Sequence, residues 1–288
     1  MKPLKLYCIA SLTWLVFSTI VSAQPPPIDD VPPQRIVSMN LCADQLMLLL
    51  ADPEQIQALS HLSHETGASY FLKKAQQYPT VNNLAEDILP YRPDLVIAGE
   101  FGGVATVNLL EKLAVRVEKL PLANGLDDLF ANIRYMGDLL GHPQRAEAVI
   151  QDMQQRLADL PPPPEQRPIA AVYDPNGYTV GKQTLRGEMI HRAGWQNAGD
   201  LLGISGYGVL SLESIVRLAP DALVESPYTL GTWSRGEALS RHPALRKSAI
   251  KPHIITLPSR MTICGGPWTV DIIERLQQER LTLQANTE

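Results

Sequence analysis

The sequence is poor in the residue types that build metal sites and nucleic-acid interfaces. Its 288 residues include three cysteines and six histidines, and only His61 and His64 lie close together. A zinc or manganese site needs several convergent histidines and carboxylates, so we expect surface or capping roles for these histidines. The formal net charge is −5 and no basic block occurs. This charge pattern argues against nucleic acid or an anionic membrane surface as a partner.

Patterns that mark catalytic sites are also missing. The chain contains neither a phosphate-binding loop nor a nucleophile elbow. Its glycine pairs, Gly206-Tyr207-Gly208 and Gly265-Gly266, are isolated turns. Ser205 and Ser211 have no nearby histidine and aspartate with which to form a catalytic arrangement. We therefore expect a protein that is not an enzyme and needs no cofactor, and a secreted enzyme is the unfavoured alternative.

Only the first residues contain a long apolar run. Lys2 and Lys5 precede the apolar residues 6–21, and Val21-Ser22-Ala23 offers small residues at a cleavage site. This pattern predicts a signal peptide over residues 1–23 that is cleaved near Ala23. A membrane anchor is the alternative, but the run is short for a span and contains serines and threonines. Residues 24–34 are rich in proline and acids and are predicted to form a disordered leader.

One stretch of sequence occurs twice. Residues 86–97 (EDILPYRPDLVI) and residues 213–224 (ESIVRLAPDALV) share Glu, Ile, Pro and Asp at matching places, 127 residues apart. Each copy predicts a short helix, a Pro-Asp stop and a buried strand of continuous apolar residues. The spacing is too long for a solenoid repeat, so it favours two similar α/β lobes with a ligand site between them.

The rest of the chain fits two lobes. Alternating strands and helices predict an N-terminal lobe over residues 35–125. Residues 126–160 have helical periodicity interrupted at Gly141-His142-Pro143, and residues 161–164 are four prolines. We therefore predict linking helices and a proline spacer over residues 126–164, and a C-terminal lobe over residues 165–288.

With these elements in place, the chain resembles the periplasmic substrate-binding proteins of ABC importers for ferric siderophores, cobalamin and haem. The features that carry the resemblance are Arg35-Ile36-Val37-Ser38, the repeated unit, the linking helix and His242-Pro243-Ala244-Leu245. The resemblance covers residues 35 to about 283. The resemblance implies two Rossmann-like lobes with mostly parallel sheets, joined by a single long α-helix. It also implies a soluble, monomeric periplasmic protein that binds a metal chelate in its inter-lobe cleft and delivers it to a permease dimer in the inner membrane.

In this family one surface glutamate on each lobe docks on arginines of the permease, and Glu86 and Glu213 match those positions. Two separated carboxylates suit such a task because bidentate arginine pairs give register and steer association. The alternative for each is an ordinary acid in the first turn of a helix, where the helix dipole favours negative charge.

Ligand-binding residues are expected after strands, because the cleft of a parallel sheet faces the carboxyl ends of its strands. Aromatic side chains there suit a large flat chelate, although Tyr173 and Trp268 are as well explained as core residues. Arg260 suits an anionic ligand group, and a solvated loop arginine is the alternative. The candidate ligand-binding residues are Met39, Asn40, Glu100, Phe101, Tyr173, Tyr178, Tyr228, Arg260 and Trp268.

Two cysteines remain after removal of the signal peptide. Cys42 and Cys264 each follow a predicted strand end, and two thiols in an oxidising compartment can pair. We expect a disulfide that ties the lobes together, with two separate thiols or a metal site as the alternatives.

The identity of the chelate stays open at this level. Cobalamin is largely neutral, many siderophore complexes are anionic, and Arg186, Arg235 and Arg260 are available for the latter. A haem carrier would need a tyrosine or histidine as axial ligand, for which Tyr70, Tyr178, Tyr207 or Tyr228 are available. A zinc- or manganese-binding protein of the related importers is the remaining alternative.

Overall fold

The structure is a computed structural model, and it describes residues 31–228, 236, 242–246 and 251–285. The expected signal peptide and most of the expected leader lie outside these ranges. No helix within them is long and apolar enough to cross a membrane.

Two separate parallel sheets form the framework, as the alternating pattern predicts. Five strands in the order β3-β2-β1-β4-β5 make the N-terminal sheet, and four in the order β11-β10-β6-β8 make the C-terminal sheet. A two-stranded antiparallel ribbon, β7-β9, was not predicted. The strands are β1 Ile36–Ser38, β2 Ile56–Ser60, β3 Thr80–Val81, β4 Leu95–Gly99, β5 Val117–Leu120, β6 Ile169–Val172, β7 Tyr178–Val180, β8 Gln196–Asn197, β9 Tyr207–Val209, β10 Ala222–Glu225 and β11 His253–Thr256.

Helices connect the strands and cover the sheets. The described helices are α1 Leu41–Leu50, α2 Leu72–Ala75, α3 Ala85–Ile88, α4 Val104–Lys112, α5 Leu126–Leu140, α6 Pro143–Ala158, α7 Leu185–Arg192, α8 Ala198–Leu201, α9 Leu212–Leu218, α10 Pro243–Arg246, α11 Ser259–Thr262 and α12 Trp268–Ala285. We call residues 35–125 the N-terminal lobe and residues 165–288 the C-terminal lobe.

One hydrophobic core runs through both lobes. Ile36 and Ile97 on the N-terminal sheet belong to the same buried cluster as Val172 and Val224 on the C-terminal sheet. The alternate positions of each strand face a second, local cluster on the other side of its sheet. Strands buried on both faces explain why the sequence shows continuous apolar runs there rather than alternation.

The linking segment folds back on itself before it reaches the C-terminal lobe. Helices α5 and α6 pack closely at Gly137. A Cβ on this residue would lie only 2.3 Å from the Cβ of Ala146, so a glycine is needed there. Helix α6 is the long linking helix. Near its start Arg145 pairs with Asp52 of the N-terminal lobe, and near its end Arg156 pairs with Asp271 and Glu274 of α12.

Residues of the C-terminal lobe also contact the N-terminal lobe directly. The Ser259 hydroxyl donates a hydrogen bond to the carbonyl of Gly67, and the Trp268 ring stacks on Tyr70 with centroids 4.3 Å apart. Helix α12 then runs to Arg280, whose Nε donates to the carbonyl of Ala193. The lobes are therefore tied along a second path besides the linking helix.

The expected leader is partly ordered. Pro33 is buried, and its carbonyl accepts a hydrogen bond from the side chain of Gln55. A Cβ on Gly141 would lie 2.4 Å from Pro32. This corrects the predicted boundary of the disordered leader, because these prolines pack onto the lobe through apolar contact that composition alone does not reveal.

The two copies of the repeat share a backbone device. Arg92 and Ala219 both adopt left-handed conformations, with φ of 47° and 49°, directly before proline. The aspartate that follows each proline binds the backbone at the start of the neighbouring strand, which is β1 for Asp94 and β6 for Asp221. Asp94 accepts hydrogen bonds from the backbone N–H groups of Gln34 and Arg35, and Asp221 accepts one from Ile169.

Candidate functional site

A cleft of about 530 Å³ lies between the two lobes. Its volume falls within the range usual for small-molecule sites, roughly 300–1,000 Å³. Residues that follow the carboxyl ends of strands line much of it, as expected for a parallel sheet. The N-terminal wall includes Asn40, residues 99–102 and residues 120–123, and the C-terminal wall includes Asp174, Arg186, Ser226, Tyr228, Ser259 and residues 262–265.

Large apolar side chains stand exposed around the cleft. Phe101 is 75 % exposed, Tyr207 65 % and Tyr228 47 %, and Leu122 and Ile263 are also exposed. Apolar surface left in contact with water disfavours the free protein relative to a complex that covers it. These side chains, which we call the apolar rim, are therefore suited to the flat face of a large ligand.

The N-terminal wall is held by the cap of helix α1. The Asn40 side chain accepts hydrogen bonds from the backbone N–H groups of Cys42 and Ala43, at 3.0 and 3.1 Å. Gly99 lies against this cap, since a Cβ there would lie 2.5 Å from Asn40 Nδ2. Glu100 is exposed, and its carboxylate accepts a hydrogen bond from the backbone of Leu122 at 2.9 Å. That bond connects the loops after β4 and β5.

The C-terminal wall contains an ion pair. The guanidinium of Arg186, in the first turn of α7, donates to both carboxylate oxygens of Asp174. It also donates to Ser226 Oγ at 3.1 Å, while the Ser226 N–H donates to Asp174 Oδ1 at 3.1 Å. The side chains of Arg186 and Asp174 are only 16 % and 18 % exposed. The three residues therefore form a closed hydrogen-bonded network in the cleft wall.

Cys42 and Cys264 both line the cleft and are bonded to each other, with Cα atoms 5.2 Å apart. The disulfide joins the start of α1 to the segment that returns from the C-terminal lobe. Within the described ranges, no group of three or more His, Cys, Asp or Glu side chains is assembled that could hold a metal ion.

Four of the candidate ligand-binding residues line the cleft: Asn40, Glu100, Phe101 and Tyr228. All four follow strand ends of the parallel sheets. The expectation that residues after strand ends face the cleft therefore selects four residues that do line it.

The other five candidates do not line the cleft, which corrects the expectation for them. Met39, Tyr173 and Trp268 are core residues, exposed by 5 %, 1 % and 1 %. Tyr178 lies exposed on the β7-β9 ribbon, and Arg260 lines a separate pocket of about 380 Å³ beside α2. Trp268 lies in the core because its ring stacks on Tyr70 and its Nε1–H donates a hydrogen bond to the carbonyl of Cys264.

Arg186 and Tyr207 also line the cleft, although strand ends did not select them and they were considered only for an anionic ligand and for haem, respectively. Arg186 lies in a helix and Tyr207 in a short ribbon strand, so neither follows a strand of the parallel sheets. The Thr184 cap of α7, whose hydroxyl accepts from the N–H of Gly187, is the local signal that a helix begins at this wall. Arg235, the remaining candidate for an anionic ligand, lies outside the described residues.

Comparisons with known proteins agree with this geometry. A family model described as periplasmic binding protein matches residues 36–261. A cobalamin-binding protein of Halobacterium salinarum is 30 % identical over 201 residues, which cover 68 % of this chain and 54 % of that protein. The chain thus matches about half the length of that relative. A vitamin B12-binding protein of Vibrio vulnificus is 27 % identical over 229 residues, covering 76 % of this chain and 80 % of the relative.

Solved structures share the fold. A periplasmic heme binding protein from Pseudomonas aeruginosa superposes with a TM-score of 0.70 and 26 % identity, covering 86 % of this chain and 92 % of that one. The periplasmic vitamin B12 binding protein BtuF of Vibrio cholerae superposes with a TM-score of 0.63 at 18 % identity, covering 88 % and 98 % of the two chains. The second likeness supports the fold alone.

Proposed function

Because this chain belongs to the periplasmic binding protein family, we propose that it captures a metal chelate in the inter-lobe cleft and delivers it to an ABC permease in the inner membrane. The chelate is a corrinoid such as cobalamin or a ferric siderophore. The expected export by the signal peptide, the periplasmic location and the monomeric state are parts of this proposal.

The observation that carries the proposal is the apolar rim around a cleft between two lobes. Phe101, Tyr207 and Tyr228 are the three most exposed aromatic side chains of the cleft lining. A flat or globular chelate would cover them on binding, and each fully covered aromatic ring contributes on the order of 2 kcal/mol. The cobalamin-binding and vitamin B12-binding names of the relatives support the same ligand class.

Titration calorimetry with cyanocobalamin, a ferric hydroxamate chelate and a ferric tris-catecholate chelate tests the proposal. We expect one of them to bind with 1:1 stoichiometry. Phe101→Ala and Tyr207→Ala should each weaken that binding about tenfold, because roughly 1.4 kcal/mol of apolar coverage is lost.

Tyr178→Ala is the matched control, since this tyrosine is also exposed but lies outside the cleft. Its affinity should equal that of the unmodified chain. Equal losses in all three variants, or no binding of any chelate, would refute the proposal.

Haem transport is the second candidate function. Tyr207 and Tyr228 both line the cleft, and a tyrosine phenolate is one of the axial ligands that proteins use for haem. Burial and the nearby Glu65 carboxylate raise the pKa of Tyr228, which disfavours its phenolate. Tyr207 is the more exposed of the two tyrosines and is the axial candidate to test. A Soret band that appears on adding haemin and is lost in Tyr207→Phe would support haem, whereas an unchanged haemin spectrum would exclude it.

We further propose that Glu86 and Glu213 dock on the permease. Both are exposed and lie in the first turn of the helix that opens a repeat copy. The pKa of Glu213 is held below its ordinary value because its carboxylate accepts hydrogen bonds from its own backbone N–H and from the Ser211 hydroxyl. This carboxylate is therefore ionised at neutral pH and available to a cation.

The docking proposal predicts separate effects on binding and delivery. Glu86→Ala combined with Glu213→Ala should leave chelate affinity unchanged but reduce stimulation of permease ATP hydrolysis at least tenfold. Glu111→Ala, an exposed glutamate on α4, is the control. Full stimulation by the double variant would show that the two glutamates play no part in docking.

A further inference from the structure

The formal charges that line the cleft are few. Among the described lining residues, only Glu100, Asp174 and Arg186 carry a formal charge. The Arg186 guanidinium, their one cation, already donates to Asp174 and Ser226. The described lining therefore has an excess of one negative charge and no uncommitted cation.

Burial of the Asp174–Arg186 pair determines how strongly the pair affects a charged ligand. Both side chains are mostly withdrawn from water. In such surroundings charge interactions are screened less than at the surface, and removing one partner leaves the other charge uncompensated. An anionic ligand in the cleft would have to compete with Asp174 for Arg186 and would also lie near the Asp174 and Glu100 carboxylates. A neutral ligand faces neither penalty and still contacts the apolar rim.

We propose that the Asp174–Arg186 pair sets the charge selectivity of the cleft, so that neutral or cationic chelates bind better than anionic ones. The proposal rests on the proposed function, because it assumes that chelates enter this cleft. Selectivity of this kind is built by an unfavourable element directed against the wrong ligand as well as by attraction to the right one. Asp174 is that element, and it acts by occupying the guanidinium that an anion would need.

The test compares a neutral and an anionic probe on matched variants. Cyanocobalamin is the neutral probe, and a ferric tris-catecholate complex, which is trianionic, is the anionic one. In the unmodified chain we expect cyanocobalamin to bind more tightly. Asp174→Asn keeps the shape of the side chain but releases Arg186. It should tighten binding of the catecholate complex at least tenfold, with less than a threefold change for cyanocobalamin.

Two double variants separate a released guanidinium from a general change in charge. Asp174→Asn with Arg186→Gln should lose the gain in catecholate affinity. Asp174→Asn with Arg192→Gln should keep it, because Arg192 lies on the same helix but pairs with Glu188 outside the cleft lining. The gain should also shrink as salt is added, since ionic strength screens the new attraction.

The outcomes are distinguishable from those of the proposed function. If neither probe nor the ferric hydroxamate binds the unmodified chain, the proposed function itself fails. If cyanocobalamin binds but Asp174→Asn leaves the affinity ratio unchanged, only the selectivity inference is overturned. It is also overturned if the unmodified chain prefers the catecholate complex.

A single Arg186→Gln variant covers the case in which Asp174→Asn does not fold. This variant leaves Asp174 unpaired, so it should weaken binding of the catecholate complex further and tighten binding of a cationic ferric hydroxamate. Opposite shifts would contradict the inference.

Discussion

The two lobes handle a withdrawn carboxylate in different ways. In the N-terminal lobe, Asp44 on α1 is fully buried and accepts hydrogen bonds from the N–H and hydroxyl of Ser60. None of these donors is a cation. In the C-terminal lobe, Asp174 is mostly buried but faces Arg186.

The difference shows what a counter-charge does. Loss of water around Asp44 outweighs its hydrogen bonds from Ser38 and Ser60 and raises its pKa to about 7. The carboxylate of Asp44 is therefore a local cost inside a packed lobe, whereas the carboxylate of Asp174 is matched to a cation at the ligand site. Neutral donors are enough to place a carboxyl group in a core, but a withdrawn charge beside a ligand needs a partner.

Of the contacts between the two lobes, the disulfide between Cys42 and Cys264 is expected to stabilise the fold most. Cys42 and Cys264 are 222 residues apart, and in the chain-entropy model a bond closing such a loop contributes about 5 kcal/mol. Cys42→Ser with Cys264→Ser should lower the free energy of unfolding by an amount of that order, measured by urea denaturation of a chain that starts at Gln24.

A thiol titration under denaturing conditions is the accompanying control. An oxidised chain that starts at Gln24, and so lacks Cys8, should show no free thiol, and the same chain after reduction should show two. A loss of stability below about 1 kcal/mol in the serine variant would mean that the other contacts between the lobes already hold them together.

Asp44 offers the next largest effect. Its folded pKa of about 7 lies above the ordinary aspartate value of 3.8, so between those values the folded chain binds more protons at this site than the unfolded chain. The stability of the unmodified chain should therefore fall as pH rises through this range and level off above about pH 7.

Asp44→Asn removes this dependence. From pH 5 to pH 7.5 we expect the variant to gain about 2 kcal/mol relative to the unmodified chain, as read from urea denaturation at both pH values. A constant stability difference between the Asp44 variant and the unmodified chain would contradict the account.

The repeated aspartates give the smallest expected effect. Asp94 accepts two backbone hydrogen bonds and Asp221 accepts one, and both residues are exposed. Asp221→Ala should therefore cost roughly 1 kcal/mol of stability and Asp94→Ala somewhat more. Thermal unfolding measures both, with the Asn variants as controls that keep an acceptor. A larger loss of stability for Asp221→Ala than for Asp94→Ala would contradict the prediction that the number of backbone hydrogen bonds sets the effect.

Much of the fold could be predicted from sequence because its central strands are buried on both faces. The apolar runs after Pro93 and Pro220 give β4 and β10. Strands of two or three residues, such as β3 and the β7-β9 ribbon, are too short to show a period. The left-handed conformation of Ala219 was also not predictable, because residues other than glycine rarely adopt a positive φ.

The site was predictable to about the same depth. Strand ends located Phe101 and Tyr228, because the edge of a parallel sheet is a geometric consequence of its topology. Trp268 was expected at the ligand because it is aromatic, but it lies in the core. Aromatic side chains suit both core packing and ligand stacking, so residue type alone does not distinguish the two. Arg186 could not be assigned, because its role depends on which acid lies opposite it in space.

The central claim is that a chelate occupies the cleft between the lobes, and hydrogen exchange with and without the tightest-binding chelate tests it most directly. We predict slower exchange at residues 99–102, 120–123 and 262–265, which line the cleft from both lobes. Slower exchange confined to residues 66–74, beside the separate pocket of Arg260, would contradict the account.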